Sequence, residues 1–255
     1  MGRRVWPVAG RNTYAFEDRW IARTTLAAGR WVMLLTNLSF EEWIEHAFRR
    51  EVHIQQAAWY FDPNHDLWDP KPVEAVAYLT RLFEDPERTL CWFSDDQIAQ
   101  GLTYLVGTSG SGDNGWLSAM EVRVEARVRC VEAIGKLFDR LFAPRCTPHL
   151  SHLSEVAAGT LNCVCYMWWD EFPCIALPSD PNLRRLSGTA LATMEHILGL
   201  GSLACQESAL HGLGHWQRQH ASEVARIIDA FVLSQTELDP RLLAYANAAR
   251  CGCVL

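Results

Sequence analysis

No apolar run in this chain is long enough to cross a membrane: the most apolar early stretch, Trp31-Val32-Met33-Leu34-Leu35, falls far short of the roughly 18 residues a span requires. The apolar–polar alternation of a sheet is also missing, which sets strand-built architectures aside. There is no G-x-S-x-G elbow for a serine hydrolase, and no cysteine stands in a signature of thiol catalysis. Gly110-Ser111-Gly112 has no βαβ context, so it is not a dinucleotide fingerprint.

Targeting and lipidation signals are not expected either. Arg3-Arg4 is not followed by an apolar signal region. Trp6 stands where a myristoylation motif needs Ser or Thr, and Gly252 stands where a prenylated cysteine would be. An excess of basic charge is lacking: 23 basic residues face 30 acidic ones, for a net charge of −7. That balance argues against nucleic acid as a partner and favours a basic protein partner or plain solubility. The nine cysteines are odd in number, and Cys91, Cys130 and Cys205 lie in apolar helical stretches where free thiols pack as small hydrophobes. A reducing cytoplasm is the expected location.

What is present is a globular composition, 49% hydrophobic and 21% charged over 255 residues, with eleven tryptophans. Most of these should be structural, because large aromatics dominate cores and interfaces. Helical spacing recurs along the chain. Ser39-Phe40-Glu41-Glu42 and Ser94-Asp95-Asp96-Gln97 are capping boxes, each opening a helix. The paired carboxylates Asp95-Asp96 are explained by that helix start and its dipole. Val73, Val76, Leu79, Leu82 and Phe83 predict a helix between the boxes, and with the helix after Ser94 it should form a hairpin. Further helices are predicted over 118–142, 153–170, 183–197, 203–215, 221–233 and 240–249. Near the start, Glu17 to Leu26 reads as a short helix.

One motif occurs twice, as RCVEAIGKLF from Arg129 to Phe138 and SALHGLGHW from Ser208 to Trp216. Ala133-Ile134-Gly135 aligns with Gly212-Leu213-Gly214 at an offset of 79 residues. Glycine inside a helix costs about 1 kcal/mol against alanine, so close approach of a neighbouring helix is the expected compensation. Ile98 to Val106 shares only the Gly101-Leu102 pair. The pattern resembles the second helix of a HEAT repeat, whose unit is about 40–47 residues. That resemblance implies an all-α chain of antiparallel hairpins stacked as a HEAT-like α-solenoid or irregular helical array. The organisation expected is a single protein over 1–255: an N-terminal helical cap (1–69), a helical hairpin (70–106), a flexible loop (107–115) and a HEAT-like region (116–255).

Two histidines and a carboxylate at successive spacings of four, Glu207, His211 and His215, share one stripe of the second copy. They are the candidate ligands for Zn, or for Fe or Mn, with Glu195-His196 on the preceding helix as further candidates. HEAT-like enzymes carry paired His-Glu metal sites, whereas the order here is Glu195-His196. Cys146, His149, His152, Cys163, Cys165 and Cys174 form a second group of zinc-type residues, but Cys163 and Cys165 project about 200° apart on a helix and do not share a metal easily. Asp170-Glu171, after Trp168-Trp169, reads as a helix end with functional potential if exposed.

The reading that follows is a cytoplasmic protein-interaction module of adaptor, inhibitor or immunity type. No cofactor is required, and Glu207, His211, His215 and Trp216 line its docking face, since solenoids present long concave surfaces. The alternative is a metal-dependent HEAT-like enzyme built on the same His/Glu stripe.

Overall fold

A computed structural model describes residues 20–26, 30–52, 57–62, 65–107, 114–155, 157–171 and 179–254. The described chain is dominated by helices, and none of them is long and apolar enough to cross a membrane. The low-complexity residues 108–113 and Cys174 lie outside the described residues.

The N-terminal part departs from the expected helical cap. Strands β1 (Trp20–Leu26) and β2 (Arg30–Leu35) pair antiparallel, with an irregularity between positions 20 and 23. A two-residue β3 (Leu67–Trp68) adds to β2 in parallel, giving the order β1-β2-β3. The short helix expected from Glu17 to Leu26 is therefore strand over its described part. Trp20, Ile21, Thr24 and Thr25 are aromatic or β-branched residues that suit an extended backbone better than a helix.

Helix α1 (Phe40–Phe48) opens on its capping box: Ser39 Oγ accepts the Glu42 N–H at 3.3 Å, and Glu42 Oε2 accepts the Ser39 N–H at 2.9 Å. Next come α2 (Pro72–Glu84) and α3 (Pro86–Thr89), and then α4 (Asp95–Val106), capped reciprocally by Ser94 and Gln97. The expected pairing of α2 with α4 is replaced by others: α1 packs on α4, and α2 packs on α5 (Val124–Leu137). Trp68 is buried between Trp43, with ring centroids 5.2 Å apart, and Trp116, at 5.3 Å, and it stacks on Tyr78.

The helix predicted over 118–142 begins only at Val124 and widens into a π turn over Phe138–Phe142 before α6 (Ala143–Arg145). Pro144 offers no N–H to the carbonyl four residues back, so an α-helical ladder cannot pass it unbroken. The helix predicted over 153–170 is two short ones, α7 (Thr160–Tyr166) and α8 (Trp168–Glu171), preceded by a turn at 151–154. The last four match expectation closely: α9 (Leu183–Leu198), α10 (Leu203–Trp216), α11 (Ala221–Ser234) and α12 (Pro240–Arg250).

Helix α10 is the centre of this half. Its sequence, LACQESALHGLGHW, is small or apolar on almost every side, and a helix of that kind is buried all round. It packs against α7, α8, α9, α11 and α12. One large core joins both halves, with Trp168 edge-on to Phe83, Phe138 and Phe142, and a small separate cluster holds Val128 and Leu186.

Candidate metal centre

His211 and His215 lie one turn apart on α10, so both imidazoles leave the same stripe of the helix. Asp170 reaches them from α8. Its Oδ2 lies 2.8 Å from His211 Nε2 and its Oδ1 lies 3.1 Å from His215 Nε2, while the two Nε2 atoms are 3.2 Å apart. Among the described residues this is the one group of three such side chains whose ligand atoms converge. A tetrahedral zinc with bonds of about 2.0–2.1 Å to nitrogen separates its ligand atoms by roughly 3.3 Å, so the spacing fits a single small cation.

Glycine brings Asp170 into place. At Gly212 an added Cβ would sit 2.6 Å from Trp169 Cγ, so the missing side chain is what lets α8 lie against α10. The recurring small residues thus have separate neighbours: Gly135 faces His196, Gly212 faces Trp169, and Gly214 faces Val254. Ser208 adds a hydroxyl hydrogen bond to the Cys165 carbonyl, tying α10 to α7.

The exposure is graded across the centre. His211 is fully buried, whereas the side chains of Asp170 and His215 are 27% and 42% exposed. Solvent therefore reaches two of the three groups, and an ion held there would keep access to water. Burial alone opposes ionisation of Asp170, yet the hydrogen bond from His211 prevails and its carboxyl is held below the ordinary value.

Behind the imidazoles lies a second polar layer. Tyr245 of α12 places its Oη 2.7 Å from His211 Nδ1 and 3.1 Å from Tyr166 Oη. Burial and the Tyr166 hydroxyl push the Tyr245 phenol well above its usual range, so it is neutral. His152 stacks on Tyr245 with ring centroids 4.1 Å apart.

Glu207, expected as the third ligand, does not join the centre. It is fully buried and accepts the N–H groups of Ser151 and His152, each at 2.9 Å, and meets His152 Nδ1 at 2.5 Å. Three donors occupy this carboxylate, and its task is to anchor the 151–154 turn. Asp170 stands beside the two histidines instead. Glu195 and His196 are also elsewhere: Glu195 forms a double hydrogen bond with Arg226, and His196 packs on Gly135.

The docking face expected on this helix is corrected by burial. Glu207, His211 and Trp216 are inside the core, leaving His215 alone accessible among the four. The described members of the cysteine–histidine group form no three-residue cluster either. Cys163 is exposed, Cys165 is buried, and His152 is committed to Glu207. Cys130 and Cys205 are buried as expected, and burial pushes the Cys130 thiol up to about 12. Cys91 is exposed, in the turn between α3 and α4.

Comparison with protein-family models, with curated proteins and with solved structures finds no match for the chain.

Proposed function

We propose that this protein is a metal-dependent enzyme whose centre is Asp170, His211 and His215. The observation carrying the reading is the gathering of two imidazole nitrogens around the two oxygens of one carboxylate, with contacts of 2.8 to 3.2 Å. Two histidines and a carboxylate leave coordination positions vacant on Zn2+ or Fe2+. A metal held there lowers the pKa of its bound water to about 7 in the zinc case and polarises an oxygen of the substrate. Asp170 and His215, both solvent-accessible, mark the side from which substrate approaches. HEAT-like stacking remains the architectural proposal beside it, supported by the packing of both motif-bearing helices, α5 and α10, on α9.

Metal analysis of protein purified without a histidine tag tests this reading. The expected result is one equivalent of zinc, iron or manganese per chain, lost in Asp170→Asn, His211→Ala and His215→Ala. A folded protein that neither contains nor takes up any of the three on titration overturns it.

A further inference from the structure

We propose that the Tyr245 hydroxyl is the positioning group of the centre, reversing its hydrogen bond with His211 as metal enters and donating instead to the Tyr166 hydroxyl. The inference rests on the metal reading above. It starts from the fact that His211 has a partner at each ring nitrogen: Asp170 Oδ2 at 2.8 Å from Nε2 and Tyr245 Oη at 2.7 Å from Nδ1.

In the neutral imidazole only one ring nitrogen carries a proton. Without metal, the carboxylate is an acceptor only, so Nε2 holds the proton and donates to Asp170. Nδ1 is then the acceptor, and Tyr245 donates to it. A cation at the centre needs the Nε2 lone pair. The proton must then reside on Nδ1 and point at Tyr245 Oη, which becomes an acceptor. The Tyr245 O–H turns away, and Tyr166 Oη, 3.1 Å distant, is placed to receive it. No proton is gained or lost by the imidazole; it changes nitrogen.

A hydroxyl can serve in both states because it donates and accepts, which a backbone carbonyl or an amide N–H cannot. The surroundings hold it in place. Tyr245 is buried, its ring is stacked on His152, and His152 is fixed by the buried Glu207. Tyr166 also lies with its ring centroid 4.3 Å from that of His211, so both phenols follow the same imidazole.

The experiment combines zinc titration with 15N-histidine NMR on the full chain. In wild type, His211 should carry its proton on Nε2 without metal and on Nδ1 with zinc. Tyr245→Phe should weaken zinc binding by about 10–100-fold, the usual effect of losing an outer partner of a metal ligand. Tyr166→Phe, which removes the acceptor that Tyr245 needs once zinc is bound, should weaken zinc binding by a smaller factor. If Tyr245→Phe does not fold, Tyr166→Phe and the wild-type tautomers decide. Unchanged zinc affinity in both variants, or an unchanged tautomer on loading, overturns the inference while leaving the metal centre standing. Failure of wild type to bind zinc, iron or manganese removes both.

Discussion

Gly212 and Trp169 touch where no side chain fits between them: a Cβ on Gly212 would lie 2.6 Å from the indole Cγ and 2.8 Å from both Cβ and Cδ1. The next residue after this tryptophan is Asp170, so the contact sets how near the carboxylate comes to His211 and His215. Gly212→Ala should cost about 1–3 kcal/mol by overpacking and weaken metal binding. Gly188 is the comparison. It is exposed in the middle of α9 with nothing within 4 Å of an added Cβ, so Gly188→Ala should stabilise by about 0.5–1 kcal/mol. Denaturant unfolding with parallel zinc titration measures both, and a Gly212→Ala protein with wild-type stability and affinity contradicts the argument.

Glu207→Gln separates the two possible carboxylate ligands. An amide presents one oxygen where the carboxylate presents two, so a backbone N–H of the 151–152 pair loses its acceptor, at a cost of about 1–3 kcal/mol. Metal content should stay at the wild-type level. Loss of metal in this variant, with retention in Asp170→Asn, would restore Glu207 as the ligand.

His46 makes stability sensitive to acid. Its Nδ1 faces the Arg50 guanidinium at 3.0 Å, and its Nε2 meets Tyr104 Oη at 3.1 Å. Arginine can only donate, so Nδ1 accepts and the imidazole is neutral. Burial, then the charges of Arg50 and His65, lower its pKa from 6.5 to about 3. The unfolded chain takes up this proton below pH 6.5 and the folded one does not until about 3, so stability is lost as pH falls through that interval. The slope approaches about 1.4 kcal/mol per pH unit at most. His46→Gln, which keeps a donor and an acceptor without titrating, should flatten it. Urea melts of both proteins at pH 7 and pH 5 give the comparison, and parallel losses would exclude His46 as the cause.

Arg127 and Asp180 form an ion pair inside the protein, 2.5 Å apart with side chains 1% and 0% exposed. Arg127 also donates to the Leu117 carbonyl at 3.1 Å, and the Asp180 carboxyl is held below its usual range by this guanidinium. Removing one member strands the other. Asp180→Asn should lose about 3–5 kcal/mol, and the double change Arg127→Met with Asp180→Leu should lose less than either single one. A double variant whose loss in urea unfolding equals the sum of the two single losses would show that the charges are not coupled.

The helices whose ends are written locally were legible in the sequence. Ser39 with Glu42 and Ser94 with Gln97 specify their caps within four residues, and α9 to α12 carry clear apolar spacing between breakers. The His211–His215 pair was legible for the same reason, being one turn apart on a helix. Asp170 was visible as a polar residue after two tryptophans, but its role depends on a contact 41 residues along the chain that only the Gly212–Trp169 approach creates. Glu207 shows the converse. Spacing put it on the right stripe, yet its carboxylate turns to a loop whose path no periodicity records. The sheet was missed because β3 is two residues long and the alternation in β1 and β2 is broken by an irregular register.

The described residues 146–155 before α7 have no regular secondary structure, yet three successive backbone amides among them are satisfied by carboxylates: Leu150 by Glu155, and Ser151 and His152 by Glu207. Glu155 is held in turn by Arg241 of α12. Amide protons bound in this way exchange with deuterium only when their acceptors let go. Leu150, Ser151 and His152 should therefore exchange at the pace of α10 and α12 rather than of a surface loop, making these three amides a clock for the opening of the helices packed round α10.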